Sequence, residues 1–135
     1  MRTIEFPYTP YKGIFVPAIP LQLKGGGQWF DLWAFVDSGA TYSIFKSKEA
    51  LSMNIDLSNA VQRYIVVGDG GFIPASFVEL PIRIGEVDLL VEVGFSEKLG
   101  IGFNLLGRKN IFEKFMVCFS DKRKIISFHL DENSR

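Results

Sequence analysis

FVDSGATYSIF, residues 35–45, decides how this chain is read. The apolar run Leu32-Trp33-Ala34-Phe35-Val36 ends on a carboxylate, Asp37. A charge beside such a run is costly unless it is paired, hydrogen-bonded or neutralised. Ser38-Gly39-Ala40 follows, and residues this small let the backbone come close to something. Taken alone, Asp-Ser-Gly after a strand is an ordinary turn, because Asp and Ser bond local backbone and Gly supplies unusual dihedrals. The segments around it decide between a turn and a site.

Upstream, Ala18–Lys24 alternates, with Ile19, Leu21 and Leu23 on one face, the period of a half-buried strand. Gly25-Gly26-Gly27 turns the chain, and Gln28–Val36 returns as the second strand of a hairpin. Both faces of Leu32–Val36 are apolar, which predicts cover on both sides. Downstream, Lys46–Met53 reads as a short helix with Ser47 as its cap. Arg63–Val67 and Phe72–Ile84 read as strands around a hairpin tip, Gly68-Asp69-Gly70-Gly71. Gly85-Glu86 then turns the chain into Val87–Val93, and Arg108–Lys114 suggests a second short helix. Phe115–Phe119 and Lys124–Leu130 form a last hairpin. Short strands, frequent turns and at most two short helices predict an all-β fold, a small closed barrel. The length of 135 residues suits one domain over 1–135, with 1–16 as an N-terminal arm and 131–135 as a frayed polar tail.

Composition removes several classes of function. Fifteen basic and fifteen acidic residues cancel, so charge points neither to nucleic acid nor to an anionic membrane surface. The one cysteine, Cys118, makes no internal disulfide and reads as a small buried residue, paired near Ile125 and away from His129. One His and one Cys offer no zinc-ligand spacing, so no metal is expected. Gly25-Gly26-Gly27 lacks the Lys-Ser/Thr and the helix of a phosphate loop, and no other cofactor is implied. Trp29 and Trp33 read as core or interface residues. With no apolar run of bilayer length and no leader-like segment at the N-terminus, the expectation is a soluble, cytoplasmic protein.

Two further segments raise the Asp-Ser-Gly above a turn. Asn104-Leu105-Leu106-Gly107 is an apolar pair stopped by Gly after the glycines Gly100 and Gly102. Val67-Gly68-Asp69-Gly70-Gly71-Phe72-Ile73 is a glycine-rich tip beside an aromatic. In this order and spacing, Phe35–Thr41, Gly68–Ile73 and Leu105–Arg108 resemble the retropepsin-like (retroviral-type) aspartic proteases, over roughly Pro17 to Phe128.

The resemblance implies an aspartic endopeptidase with a barrel and a flap hairpin. Asp37, Ser38 and Gly39 would form the catalytic loop, and Ala40 and Thr41 would continue it beside bound peptide. Gly68, Asp69, Gly70, Gly71 and Phe72 would close over the substrate. Leu105, Leu106, Gly107 and Arg108 would support the loop from behind. The chemistry needs two carboxylates, and the chain has one Asp-Ser-Gly, so the resemblance implies a twofold homodimer acting on an extended peptide or protein. In that dimer the Ser38 hydroxyl would bond across the axis to the partner's backbone. Many viral members carry an acidic residue where Thr41 stands, paired with the arginine that Arg108 matches, and place Asn or Asp where Lys109 stands. These departures, with Asp69 in the flap and the long arm, point to a cellular or prokaryotic member. The rival reading is a non-catalytic dimeric peptide-binding or assembly module on the same fold. An intact Asp37-Ser38-Gly39 favours the enzyme, because a binding module has no need of a carboxylate pair.

Overall fold

Ile19, Leu21 and Leu23 do what their alternation implies: all three are buried inside the computed structural model, which describes residues 2–99 and 102–130. They lie on β4 (Ala18–Gly25), preceded by β1 (Arg2–Pro7), β2 (Thr9–Tyr11) and β3 (Ile14–Val16). β5 (Gln28–Val36), β6 (Ser43–Lys46), the helix α1 (Ser47–Ser52), β7 (Val61–Val66), β8 (Phe72–Ile84) and β9 (Val87–Ser96) follow. β10 (Asn104–Leu106), β11 (Phe115–Ser120) and β12 (Ile125–Leu130) complete the described chain. The tail 131–135 and Gly100 lie outside the described residues.

Seven strands form one sheet in the order β4-β5-β10-β6-β9-β8-β7. Gln22 and Leu23 of β4 pair back onto Arg83 and Ile82 of β8, closing the sheet into a ring and leaving β7 outside it. The ring encloses Ala34, Val36, Phe45, Ile82, Ile84, Val91, Val93, Phe95 and Leu106, all buried. Each large apolar side chain so buried contributes about 1.5–3 kcal/mol. The β4–β5 hairpin turns on Gly26 and Gly27, at φ 56° and 81°, a conformation that glycine adopts without strain. No helix among the described residues is long and apolar enough to cross a membrane.

Several sequence expectations are corrected. β5 is fully covered on one face only: Ala34 and Val36 are buried, whereas on the other face Phe35 is half-buried against Phe103 and Trp33 is 53% exposed. Ser47 does not cap α1: Lys46 holds the capping position with extended backbone and no side-chain bond, and Ser47 is already inside the helix. The second helix stops short. Phe112 N–H bonds Arg108 C=O at 2.8 Å and Phe115 N–H bonds Ile111 C=O at 3.0 Å. Inside the first of these turns Asn110 sits at φ 68°, which a right-handed helix cannot absorb.

β1 and β11 flank β12 in a separate three-stranded sheet. Cys118 lies opposite Ser127, and Ser120 opposite Ile125. That register points Phe115 and Val117 inward with Phe128, and turns Met116 and Cys118 outward, so Cys118 is exposed where the sequence reading buried it. Phe128 packs edge-on against Phe6 at 5.9 Å and Phe115 at 5.4 Å. His129 is held by two hydroxyls, Thr3 on Nδ1 and Ser127 on Nε2, each at 3.0 Å.

Tyr8 ties this sheet to the arm. Its N–H donates to Lys124 C=O at 2.8 Å, and its hydroxyl donates to Asp121 Oδ1, also at 2.8 Å. Burial, then the bond to Asp121 and its charge, push the phenol up to about 12. The fold therefore favours the protonated phenol. This contribution is complete below the ordinary tyrosine value of about 10 and fades as pH rises toward about 12. Tyr8→Phe should cost about 1 kcal/mol at neutral pH. In urea melts across the alkaline range, the gap between wild type and variant should narrow with pH. An equal gap at neutral and high pH would show that the Asp121 bond has no such role.

Candidate active site

β5 delivers Asp37. Val36 N–H donates to Pro17 C=O at 2.9 Å and Asp37 N–H to Leu106 C=O at 3.0 Å, so the strand is bonded on both edges up to the carboxylate. Immediately beyond, the chain folds back on itself. Ala40 N–H bonds Asp37 C=O at 3.2 Å, and Gly39 N–H bonds the Asp37 carboxylate at 2.9 Å. A Cβ on Gly39 would stand 3.3 Å from that same carboxylate oxygen, tighter than a side chain normally sits. Asp37 is half-buried, while Ser38, Gly39 and Thr41 are exposed. The carboxylate charge is thus met by a backbone donor and by solvent, and Asp37 is not sealed into the core.

A second segment crosses behind this loop. β10 lies parallel to β5, with Leu105 opposite Phe35 and Leu106 opposite Val36, and Leu105 also pairs with Ile44 of β6. Leu106 is fully buried. Next, Gly107 N–H bonds Ser43 Oγ at 3.0 Å. Arg108 N–H bonds Ala40 C=O and Lys109 N–H bonds Thr41 C=O, each at 2.9 Å. The Arg108 guanidinium reaches Ser38 C=O at 2.9 Å and Thr41 Oγ1 at 3.4 Å. Arg108, which lacks the acidic partner of viral members, therefore braces the Asp37 loop through the backbone of Ser38. A methyl on Gly107 would overlap the Tyr42 carbonyl, so the crossing requires glycine. The structure brings Asp37–Thr41 and Leu105–Arg108 together by direct bonds.

Asn104, which the sequence reading named without giving it a role, is a buried amide that welds three elements. It accepts from Lys46 N–H at 2.9 Å and donates to Trp33 C=O and to Glu49, both at 3.0 Å. A polar residue set between Phe103 and an apolar pair was its only signal in the sequence.

β7 and β8 form the glycine-tipped hairpin, with Val66 opposite Phe72 and Ile65 opposite Ile73. Its tip is bonded internally, Gly70 N–H to Val67 C=O and Val67 N–H to Gly71 C=O, both at 2.9 Å, with Gly70 at φ 86°. Asp69 is part of that tip: its carboxylate accepts Gly71 N–H at 2.8 Å. The two faces differ. Ile65 packs toward Ile44, Ala75, Phe77 and Tyr42, whereas Tyr64, Val66 and Phe72 stand exposed on the other face. Phe72 therefore lies on the exposed face of the hairpin, and Ile65 on the face that meets the body.

An ion cluster that the sequence did not reveal links this hairpin to the Asp37 side. Arg63 of β7 bonds Glu92 of β9, and Lys109 bonds the other Glu92 oxygen at 3.3 Å. The Arg63 guanidinium lies 4.9 Å from the Phe77 ring centre and 5.8 Å from that of Tyr42, and Lys109 sits 5.6 Å from Tyr42. Asn110 Oδ1 accepts Glu92 N–H at 3.0 Å. Partial burial pushes the Glu92 carboxyl up, but the hydrogen bonds from Arg63 and Lys109, with their charges, outweigh it and hold it below the ordinary value of 4.5. Among the described residues no group of three His, Cys, Asp or Glu side chains is placed to hold a metal.

Two outcomes test this architecture. Gly107→Ala should destabilise the protein by about 1–3 kcal/mol, as over-packing against backbone does, while Gly68→Ala, in open space and without a positive φ, should cost less. Equal melting shifts would refute the close crossing. Glu92 has a depressed value in the fold, so its contribution is complete above its unfolded value and is lost as pH falls through the lower folded one. Glu92→Gln should therefore lower stability at neutral pH and flatten the fall in stability below about pH 4.5, measured by denaturant melts.

No protein-family model matches the chain, and no curated protein sequence matches it. Among solved structures it is similar to a retropepsin-like aspartic protease from Rickettsia conorii, with a TM-score of 0.60, 18% sequence identity, and coverage of 94% of this chain and 90% of that one. The ring of strands, the single short helix among the described residues and this likeness together give the chain an all-β fold of the retropepsin-like type.

Proposed function

We propose that this protein is an aspartic endopeptidase, active as a homodimer in which Asp37 of each chain supplies one carboxylate. The observation that carries the reading is the setting of Asp37. It stands at the end of a strand bonded on both edges, on a loop bound from behind by Leu106–Lys109, with its carboxylate held by the Gly39 amide and its outer side open. A turn of purely structural use needs no such bracing. The fold likeness supports the same reading.

Two such loops meeting at a twofold axis would set the carboxylates close together, where both cannot ionise at once and one proton is shared. The ionised carboxylate takes a proton from a water held between them, and that water oxygen bonds to the scissile carbonyl carbon. The protonated carboxyl donates to the carbonyl oxygen as it becomes tetrahedral. On collapse the C–N bond breaks, and the departing nitrogen takes up a proton from the dyad. The pair titrates as a unit. No metal or organic cofactor has a part in these steps.

Substrate would lie extended between the Asp37 loop and the β7–β8 hairpin, bonding by backbone as an added strand, with side chains alternating into pockets. Ile65 and Ile73 are the hairpin side chains on the body-facing side, which favours large apolar residues around the cut.

The test is a mass-spectrometric peptide-library digest from acid to neutral pH, beside Asp37→Asn. The expected result is cleavage between large apolar residues that falls with dilution and is absent, by at least about 10⁴-fold, in the variant, on the scale of losing an essential catalytic group. Asp37→Asn should keep its fold, shown by an unchanged circular-dichroism spectrum. Cleavage that persists in Asp37→Asn would overturn the assignment. A folded dimer that binds peptides and cleaves none would establish the binding-module alternative.

A further inference from the structure

β4 runs antiparallel to β5 with Ala18 opposite Phe35, so the chain before Ala18 emerges at the end of the sheet from which the Asp37 loop projects. What emerges is a hairpin, β2–β3, with Thr9 opposite Val16 and Tyr11 opposite Ile14. Its turn is Lys12-Gly13, at φ 49° and 82°, the tight two-residue form with both φ values positive. The root of the hairpin is anchored. Val16 is buried, Thr9 Oγ1 donates to Ala18 C=O at 3.0 Å, and Pro17 C=O accepts Val36 N–H at 2.9 Å. Tyr11 meets Phe103 edge-on at 5.3 Å, and Phe103 stacks on Phe35 at 5.0 Å, two residues before Asp37.

The second strand of the hairpin is not covered. Ile14 is 62% exposed and Phe15 is 55% exposed. Neighbouring strand residues point to opposite faces, so the arm carries an uncovered apolar side chain on each side. A two-stranded hairpin gains little stability from such residues by itself.

The Asp37 loop lacks what a dimer contact at this end requires. Its exposed residues are Ser38, Gly39 and Thr41. A stable pair of proteins buries on the order of 1,200–2,000 Å² in total. Most of the binding energy comes from a few large, well-packed anchors. Three small polar or bare residues supply neither the area nor the anchors, and the arm at the same end of the sheet supplies two apolar anchors on a pre-shaped hairpin.

We propose that the β2–β3 arm is the dimer clasp of this protein: Ile14 and Phe15 pack against a second copy of the chain when the two Asp37 loops meet. The inference rests on the homodimer reading above. It adds which residues hold the dimer, and its test does not depend on proteolysis.

Sedimentation equilibrium over a concentration series, on wild type and on the Ile14→Ser/Phe15→Ser double variant, decides it. Wild type is expected to be dimeric, and the variant's dimer dissociation constant should rise at least about tenfold, the change that about 1.4 kcal/mol produces. Thermal melting of the monomeric fraction should be little changed, because both side chains are exposed. Should the serine pair misfold, Ile14→Thr with Phe15→Thr keeps strand propensity and carries the same expectation. In wild type, amide exchange at Tyr11–Phe15 should quicken on dilution through the dimer constant. A wild-type dimer whose strength the substitutions leave unchanged, with no exchange difference on dilution, would overturn the clasp and leave the homodimer reading standing. A wild type that is monomeric at every concentration overturns both.

Discussion

The bond from Asp37 N–H to Leu106 C=O sets where the Asp37 loop begins, and the bracing around the loop is built from that point. It continues the parallel pairing of β5 with β10 to the first residue of the loop, so the carboxylate starts from a defined point. From there Gly107 passes beneath Tyr42, and the amides of Arg108 and Lys109 take the carbonyls of Ala40 and Thr41. A loop of small residues has little packing of its own, and its backbone groups would otherwise be met only by water. Crossing it with a second segment satisfies those groups and removes its freedom together. The cost is a strict demand on sequence, since one position of the crossing admits no side chain. The buried Asn104 serves the same end one step earlier, joining β5, the start of α1 and β10 through a single amide.

How much of this was legible in the sequence follows from how local each signal is. The strands of the β4–β5 and β8–β9 hairpins announce themselves by alternation and glycine turns, both short-range properties, and they lie where the sequence places them. The closure of the ring does not. It depends on Gln22 and Leu23 meeting Arg83 and Ile82, some sixty residues away, through backbone bonds that leave no mark on residue type. The short strands β6 and β10 escaped notice for a related reason. Each is fixed by neighbours on both sides, so neither needs a strong pattern of its own. Asn110 shows the limit of propensity: Arg108–Lys114 reads as a helix, yet one residue at positive φ, its side chain bonded to Glu92 N–H, keeps the segment to isolated turns. Cys118 shows the limit of composition: its apolar neighbours Val117 and Phe119 suggest burial, yet alternation along β11 sets it with Met116 on the outer face.

The segments singled out as site residues divide in the same way. Asp37–Thr41 and Leu105–Arg108 lie far apart in the chain, and the structure joins them through four hydrogen bonds spread over main chain and side chain. The glycine-rich tip is different. Its bonds close on themselves, and its link to the Asp37 side runs through the hairpin base, where Arg63, Glu92, Lys109, Tyr42 and Phe77 meet. No motif marks that cluster, because its members come from three strands and two connecting segments far apart in the chain. Its effect is mechanical: it ties the base of a hairpin whose tip is held only by its own turn. On the proposed reading this is the arrangement a flap needs, with a fixed base and a tip free to move.

On the proposed reading, the same residues set a condition on activity in acid. An aspartic dyad needs one of its carboxyls protonated, whereas the Arg63–Glu92–Lys109 cluster needs Glu92 ionised. The cluster gives Glu92 a depressed value, so it stays charged at a pH where an unperturbed glutamate would already be protonated. The exposed Arg63 and Lys109 lower that value through hydrogen bonds more than through long-range charge, so salt should weaken the effect only in part. On the proposed reading the chain separates two carboxylate roles by position: Asp37 stands open at the end of its strand, where a partner chain would meet it, and Glu92, clamped between two cations, stays ionised and holds the hairpin base.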